Sequence, residues 1–281
     1  MRALADYLGE LRGSLRPRVV YTDLDGTLLG PGGSLFAASR GGVTTAAAEA
    51  LAALHRAGVA VVPVSGRTAP QVLETARVVG ASDYISELGG ITVYNLGEEM
   101  VRSFGEYVGE GSPHEAMERN GVAGLLMEAF PGRIEPHAPW AFLPRECSML
   151  LRGDVPLEEA QEVIAEAGYE WLNLIDNGII PRAYGTLEVS RVHAYHLLPV
   201  GVSKAAAAAA DARRRGLHRE ETIAVGDSPS DARLAEAVGA VFIVANGREA
   251  VEAAGGVGET LYATGASHGD GFAEAVSAVL S

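Results

Sequence analysis

The sequence predicts an α/β fold, a doubly wound parallel sheet interrupted by an inserted α+β segment. Short apolar runs without polar alternation, typical of strands buried on both faces, alternate with helical stretches near both ends of the chain. Between about Ile91 and His196 this alternation gives way to an irregular mixture of strand-like and helix-like runs. We therefore predict a core of residues 1–91 and 197–281, and an inserted α+β domain of residues 92–196.

The core elements follow from these runs. The predicted core strands are Val19–Thr22, Val59–Val64, Tyr84–Ser86, Thr222–Val225 and Val241–Val244. The predicted core helices are Thr44–Ala57, Pro70–Val79 and Lys204–Arg215, each followed by a glycine that suits a helix C-terminus. In the insertion, we predict strands at Ser148–Leu151, Leu172–Ile175 and Leu187–Val189 and a helix at Leu157–Ala167.

Two further segments have simple structural interpretations. Met1–Arg16 carries leucines at helical spacing, interrupted by charged residues, and is predicted to be an amphipathic extension packed on the core. This interruption also excludes the unbroken apolar stretch of a secretory signal. The glycine-rich segment Gly30–Gly42 is predicted to be a mobile loop beside the end of the first core strand.

Charge and cysteine content narrow the function classes. The 281 residues include 22 Lys and Arg against 36 Asp and Glu, a formal net charge of −14. We therefore expect no general binding to nucleic acid or to anionic membranes, whereas a small anionic substrate is compatible with a locally inverted field. The single cysteine, Cys147, excludes an intrachain disulfide, and with no membrane-spanning segment predicted we expect a cytoplasmic protein.

The strongest chemical signal is a pair of carboxylates, Asp23 and Asp25, directly after the first core strand and before Gly26. Ligands bind at the carboxyl ends of strands in open α/β sheets. Two acids this close repel each other unless a cation lies between them or one holds a proton. Asp23 could therefore act as a nucleophile beside a metal ion, and Asp25 as a general acid and base.

A second acidic motif, Gly226–Asp231, ends another core strand. Ser228 and Asp231 fit a helix-capping box, which gives them a structural explanation. Asp227 is not explained by the cap, and carboxylates from two strand ends provide the hard oxygen ligands that suit Mg²⁺. Ser65, Gly66 and Arg67 end a third strand, where a hydroxyl and a backbone N–H could meet a phosphoryl oxygen.

These motifs, together with Lys204 at the start of an alanine-rich helix, occur in an order that resembles the haloacid dehalogenase-like (HAD) superfamily. The long insertion between the second and third motifs looks like the class II, or Cof-type, cap of that superfamily. The resemblance covers roughly residues 18–91 and 197–250 and implies a HAD-like Rossmannoid core with a cap that sets substrate specificity.

The resemblance also implies a role for each residue. Asp23 would form an aspartyl-phosphate, Asp25 would be the general acid and base, and Lys204 would neutralise charge on Asp23 and the phosphoryl group. Asp23, the backbone carbonyl of Asp25 and Asp227 would bind Mg²⁺, with Asp231 supporting that site. The residues implied to bind substrate are Ser65, Gly66, Arg67 and Ser228.

The variants of the last two motifs look most like phosphatases of sugar phosphates and glycosyl-phosphoglycerates, such as mannosyl-3-phosphoglycerate or sucrose-phosphate phosphatases. Phosphoglycolate phosphatases of this class share the same features. The expected function is a Mg²⁺-dependent phosphatase of a small phosphorylated metabolite; a phosphotransferase or phosphomutase, which would use the same motifs, is the alternative. Two positions depart from the family pattern: Ser230 and Leu88 each stand where many relatives carry asparagine. In the insertion, the candidates for binding an anionic or polyhydroxyl substrate are Arg133, His137, Arg145, Arg182 and Arg191.

Overall fold

The computed structural model describes residues 1–180 and 182–280. In chain order, the strands are β1 (Arg2–Ala3), β2 (Val19–Thr22), β3 (Ala60–Pro63), β4 (Tyr84–Ser86), β5 (Ile91–Tyr94), β6 (Glu99–Arg102), β7 (Ile134–Pro136), β8 (Met149–Gly153), β9 (Leu172–Ile179), β10 (His193–Pro199), β11 (Thr222–Gly226), β12 (Ala240–Ile243) and β13 (Leu261–Ala263). The helices are α1 (Leu8–Ser14), α2 (Ala46–Arg56), α3 (Ala69–Val79), α4 (Pro113–Arg119), α5 (Val122–Ala129), α6 (Leu157–Glu166), α7 (Lys204–Arg214), α8 (Pro229–Ala232), α9 (Arg248–Ala253) and α10 (His268–Leu280).

The chain separates into two compact units, one made of Met1–Val101 and the residues from Ser203 onward, the other of Arg102–Val202. The first unit contains a six-stranded sheet in the order β1-β13-β12-β11-β2-β3. Every neighbouring pair in this sheet is parallel. The sheet therefore confirms the predicted doubly wound α/β core.

Both faces of this sheet are buried, because successive residues of its strands enter two different hydrophobic clusters. Val20 and Val225 pack with α1, α2, α3 and α10 on one face. Val19 and Ala224 pack with α7 and α9 on the other. This arrangement explains why the strand sequences show no polar alternation.

The strand order places β2 beside β11, and the chain continues from β2 to β3 but from β11 to β12, in opposite directions along the sheet. Such a reversal opens a crevice at the carboxyl ends of the two strands. Asp23 follows β2 and Asp227 follows β11, so the fold brings both predicted acidic motifs to this point.

The second unit contains an antiparallel sheet in the order β7-β8-β10-β9. Met117, Leu126 and Ile164 from α4, α5 and α6 pack on alternate strand residues such as Leu151 and Leu197. This unit has the α+β architecture that the sequence predicts for the insertion. Its role as a substrate-selecting cap, and the boundaries predicted for it at residues 92–196, stay predictions.

Most predicted elements agree with the structure to within a few residues, with three differences. Tyr84–Ser86 is a strand, but it pairs antiparallel with β5 in a separate sheet of order β4-β5-β6, outside the six-stranded parallel sheet. Leu187–Val189 is not a strand: the Leu187 N–H closes a turn on the carbonyl of Tyr184, and Leu187 and Val189 are only partly buried, outside any strand pairing among the described residues. The N-terminal extension packs on the core as predicted through Leu4, Leu11 and Leu15, but its first residues form β1 beside β13 rather than helix.

The glycine-rich segment after β2 is attached to the N-terminus of α10. The Ser39 hydroxyl donates to the carbonyl of Ser267 at 2.6 Å, and the Ser39 N–H donates to the Asp270 carboxylate at 2.9 Å. Among the described residues, no helix combines the length and the apolar character that crossing a bilayer would require.

Candidate active site

Asp23 is the first residue after β2, and its side chain lies inside the protein. Its backbone N–H donates to the carbonyl of Val225 at 2.9 Å, which extends the β2–β11 pairing and fixes the residue. Its Oδ1 atom accepts a hydrogen bond from Lys204 Nζ at 2.6 Å. Within the described ranges, Oδ2 accepts no hydrogen bond, so one oxygen of this buried carboxylate is available for chemistry.

Lys204 is the first residue of α7, which Ser203 caps by accepting a hydrogen bond from the N–H of Ala206. The lysine is 2 % exposed and its ammonium group bridges Asp23 and Asp231, with 2.7 Å to the latter. Burial alone would lower the pKa of Lys204, but the two carboxylates outweigh burial and raise its pKa above the ordinary value. Lys204 is therefore a permanently charged cation in this pocket.

Asp231 is completely buried, and both of its carboxylate oxygens are engaged. Oδ1 accepts from Lys204, while Oδ2 accepts from the hydroxyl and N–H of Ser228 at 2.6 and 3.0 Å and from the N–H of Asp227 at 3.2 Å. These bonds form the predicted capping box at the start of α8. The close fit requires glycine at Gly226, where a side chain would overlap with Asp231.

Asp227 belongs to the second acidic motif and contacts Thr27, directly after the first one. Its Oδ1 accepts from the Thr27 hydroxyl at 3.1 Å and its Oδ2 from Asn246 Nδ2 at 3.1 Å. Burial, followed by the charge of Asp231, raises the pKa of Asp227 to about 7. Burial also raises the pKa of Asp23 well above its ordinary value, with Lys204 opposing and the neighbouring aspartates adding to the shift.

These residues fit a divalent metal ion. One oxygen each from Asp23, Asp227 and Asp231 lie within 4.8 Å of one another, and Lys204 is the cation that bonds to two of them. Three carboxylates facing one ammonium leave an excess of negative charge, which a hard cation with oxygen ligands would balance. Asp231 accepts four hydrogen bonds, whereas Asp227 accepts two and Asp23 one, so Asp23 and Asp227 are the side chains suited to direct ligation.

The Asp25 side chain points away from this cluster. It is 57 % exposed and forms a bidentate ion pair with Arg67, with Nε–Oδ2 at 2.7 Å and Nη2–Oδ1 at 2.5 Å. Ser65, which follows β3, is buried and accepts a hydrogen bond from the Arg67 N–H through its hydroxyl at 3.2 Å. Gly66 lies half-buried between them. In the structure, Arg67 is therefore the ion-pair partner of Asp25. The roles in substrate binding predicted for Ser65, Gly66, Arg67 and Ser228 stay predictions.

Three residues that the sequence did not indicate contact the acidic motifs: Thr27, Asn246 and His268. Thr27 follows the acid pair directly, and Asn246 is a polar residue just after a predicted apolar strand, so a search of every strand end would have found both. His268 follows no strand end and carries no such signal.

Among the arginines and histidine suggested for the second unit, Arg145 is buried and its Nη1 donates to the Ser148 hydroxyl at 3.0 Å. His137 is half-buried, and burial, followed by the charges of Arg152 and Arg145, lowers its pKa to about 4. Arg133 is half-buried, whereas Arg182 and Arg191 are exposed.

Comparison with known proteins agrees with this geometry. Residues 20–104 and 160–273 match the family model of haloacid dehalogenase-like hydrolases. A protein named phosphoglycolate phosphatase from Methanoculleus marisnigri is 30 % identical over 262 residues, covering 92 % of this chain and 95 % of its own.

Solved structures show the same fold at lower identity. The sucrose-phosphatase of Synechocystis sp. PCC6803 superposes with a TM-score of 0.63 at 17 % identity, over 94 % of this chain and 98 % of its own. A sugar phosphatase of HAD subclass IIB gives a TM-score of 0.60 at 18 % identity, over 92 % and 98 % of the two chains. From the family match and the coverage of its relatives, we conclude that the chain belongs to the haloacid dehalogenase-like hydrolases and is a phosphoric monoester hydrolase.

Proposed function

We propose that this enzyme is a Mg²⁺-dependent phosphatase that hydrolyses a small phosphate monoester through an aspartyl-phosphate on Asp23. The observation that carries the proposal is the asymmetric setting of the Asp23 carboxylate: Lys204 holds Oδ1 at 2.6 Å, and Oδ2 accepts no hydrogen bond from the described residues. A buried carboxylate with one fixed and one available oxygen is suited to attack phosphorus.

In the first half of the proposed reaction, Asp23 Oδ2 forms a bond to phosphorus as the ester P–O bond breaks. Asp25 donates a proton to the leaving oxygen, a step that requires its side chain to leave the ion pair with Arg67. Lys204 stabilises the negative charge that develops on the phosphoryl oxygens and on Asp23. Ser65, Gly66, Arg67 and Ser228 are proposed to orient the substrate.

In the second half, the ionised Asp25 takes a proton from water as the water oxygen attacks phosphorus. The bond between phosphorus and Asp23 breaks, which restores the carboxylate and releases inorganic phosphate. A Mg²⁺ ion held by Asp23, Asp227 and the backbone carbonyl of Asp25 would supply further positive charge to the transferring group. Asp231 would keep Lys204 and the strand-end loop in place.

For the substrate, we propose 2-phosphoglycolate first and small sugar phosphates second. The support for phosphoglycolate is the name shared by relatives that align over most of this chain, including one from Halobacterium salinarum that is 29 % identical over 222 residues. Sugar phosphates are supported by the motif variants noted in the sequence. We further propose that the inserted segment, residues 92–196, selects between such substrates.

The proposal is tested by measuring phosphate release from a panel of phosphorylated metabolites with Mg²⁺ and with EDTA. We expect turnover only with Mg²⁺, and a loss of at least about 10³-fold in Asp23→Asn, which removes the nucleophile. The control is Asp6→Asn, the same change at an exposed residue. Turnover of Asp23→Asn at the wild-type rate would refute the mechanism, and isomerised substrate without free phosphate would favour a phosphomutase.

A further inference from the structure

The Asn246 side chain uses both ends of its amide to join three parts of the first unit. Its Nδ2 donates to the carbonyl of Gly26 at 2.9 Å and to Asp227 Oδ2 at 3.1 Å. Its Oδ1 accepts from the backbone N–H of His268 at 3.0 Å. Because a backbone N–H can only donate, this contact fixes which end of the amide faces Asp227.

His268 supplies a second donor to the same carbonyl. Its Nδ1 lies 2.9 Å from the oxygen of Gly26, and since a carbonyl only accepts, Nδ1 carries the hydrogen. The backbone of His268 has a φ of +52°, a conformation that residues other than glycine rarely adopt. A strained residue at the start of α10 is therefore held where its ring reaches the Asp25–Gly26 turn.

The turn and Asp227 are in close contact at this point. Gly26 has a φ of +88°, and a side chain there would overlap with the Asp227 carboxylate. The backbone of the turn therefore lies directly against the Asp227 carboxylate, which follows the neighbouring strand β11. Hydrogen bonds that join the turn to Asp227 control the distance between the two. Asn246 is the residue that bonds to both.

We propose that Asn246 and His268 are positioning residues that hold the Asp25–Gly26 turn against Asp227 and thereby set the spacing of the oxygen ligands for Mg²⁺. This inference rests on the proposed function, because it assumes that Mg²⁺ binds between these two strand ends. Groups that orient metal ligands through hydrogen bonds commonly change metal affinity or activity by about 10- to 100-fold when they are replaced.

The first test is Asn246→Ala, which removes both donated hydrogen bonds without adding charge. We expect the affinity for Mg²⁺, titrated alone in isothermal titration calorimetry, to fall by about 10-fold or more. The control is Asn120→Ala, the same change at an exposed residue in the second unit, which should bind Mg²⁺ like the wild type. Equal Mg²⁺ affinity in wild type and Asn246→Ala would overturn the role of Asn246.

The second test separates positioning from general stability at His268. His268→Asn places an amide N–H where Nδ1 stands and tolerates positive φ, whereas His268→Gly tolerates the backbone but donates nothing. We expect His268→Asn to retain Mg²⁺ affinity within about threefold and His268→Gly to lose about 10-fold. The two variants binding Mg²⁺ equally well would overturn the role of His268.

The wild-type measurement distinguishes failure of this inference from failure of the proposed function. A wild-type enzyme that neither binds Mg²⁺ nor requires it for phosphate release would overturn both. A wild type that binds Mg²⁺, together with variants that bind it unchanged, would overturn the positioning role alone. Melting temperatures measured without metal complete the comparison, because a positioning role predicts a loss of affinity at a nearly unchanged metal-free melting temperature.

Discussion

A cation that bridges two carboxylates lies at each end of α7, buried at Lys204 and partly buried at Arg215, and comparing the two shows what distinguishes the proposed active site. At the start of the helix, Lys204 bonds to Asp23 and Asp231. Directly after its end, Arg215 bonds to Asp211 at 2.7 Å and to Asp83 at 2.5 Å. In each network, one cation bonds to two carboxylates.

The two networks differ in the other polar groups that lie next to the ion pairs. Around Arg215, the Tyr21 hydroxyl adds a hydrogen bond to Asp211 at 2.8 Å, and the planar guanidinium reaches both acids through separate N–H groups. Around Lys204, a third acid, Asp227, lies close by, with a carboxylate oxygen within 4.8 Å of oxygens of Asp23 and Asp231. A cation that bridges two carboxylates therefore does not by itself indicate an active site; the proposed site differs in having buried carboxylates in excess of their cation.

The largest expected effect comes from Lys204→Met. This change leaves Asp23 and Asp231 buried without their cation, so we expect the free energy of unfolding to fall by about 3–5 kcal/mol. Phosphatase kcat should fall by about 10²–10³-fold, because the charge that stabilises the transferring group is lost. Urea denaturation and steady-state kinetics below the melting temperature measure the two losses separately.

The matched variant in the other network is Asp211→Asn, which should lose stability only. It weakens a charge-assisted hydrogen bond to Arg215, for about 1–3 kcal/mol, and should leave kcat within about twofold when the protein is folded. A large fall in the kcat of folded Asp211→Asn would show that the two networks are coupled and would break the comparison.

The next largest expected effect is that the stabilisation of the folded protein by Mg²⁺ depends on pH. Burial raises the pKa of Asp227 to about 7 in the folded state, against about 3.9 in the unfolded chain, so the folded state binds more protons between these values. Without metal, this group's contribution to stability is present at low pH and is lost as the pH rises through about 7. Mg²⁺ binds the ionised carboxylate, so the increase in melting temperature on adding Mg²⁺ should be larger at pH 8 than at pH 5.

The control for this dependence is Asp227→Asn, whose melting temperature should respond to Mg²⁺ weakly and almost equally at both pH values. If Mg²⁺ raised the melting temperature of the wild type equally at pH 5 and pH 8, the metal would not bind where the excess negative charge lies.

The smallest effect is expected for the ion pair that belongs to neither network. Arg67→Gln breaks the pair with Asp25, whose side chain is 57 % exposed, so water replaces most of the lost interaction. The free energy of unfolding should change by no more than about 1 kcal/mol in urea denaturation. A loss as large as that of Lys204→Met would place this pair among the buried networks.

The features predicted from the sequence are those encoded in contiguous residues. The apolar runs of β2, β11 and β12 and the acids that follow β2 and β11 can be read locally, because a parallel sheet always gathers the carboxyl ends of its strands. Asn246 and His268 escaped prediction because their partner, Gly26, lies 220 and 242 residues away in the sequence. Asp211 escaped because one acid in an alanine-rich helix looks like an ordinary surface residue.

The prediction of a strand at Leu187–Val189 is wrong because it rests on the local sequence pattern alone. An alternating apolar pattern forms a strand only where a neighbouring strand accepts its hydrogen bonds. Among the described residues, this segment makes isolated backbone contacts, such as the N–H of Glu188 with the carbonyl of Gly132, and no strand pairing. Local pattern indicates which residues can form a strand, whereas the surrounding fold decides which of them do.

The order of the chain has a consequence for how the enzyme is made. The hydrogen bond from Thr27 to Asp227 joins residues 200 positions apart, and β2 pairs with β11 across a similar distance. At synthesis rates of about 5–20 residues per second, roughly 10–40 s pass between the emergence of the two strands from the ribosome. During that interval the nascent chain holds Asp23 beside an unpaired strand edge, so the proposed catalytic centre can form only after β11 has been synthesised.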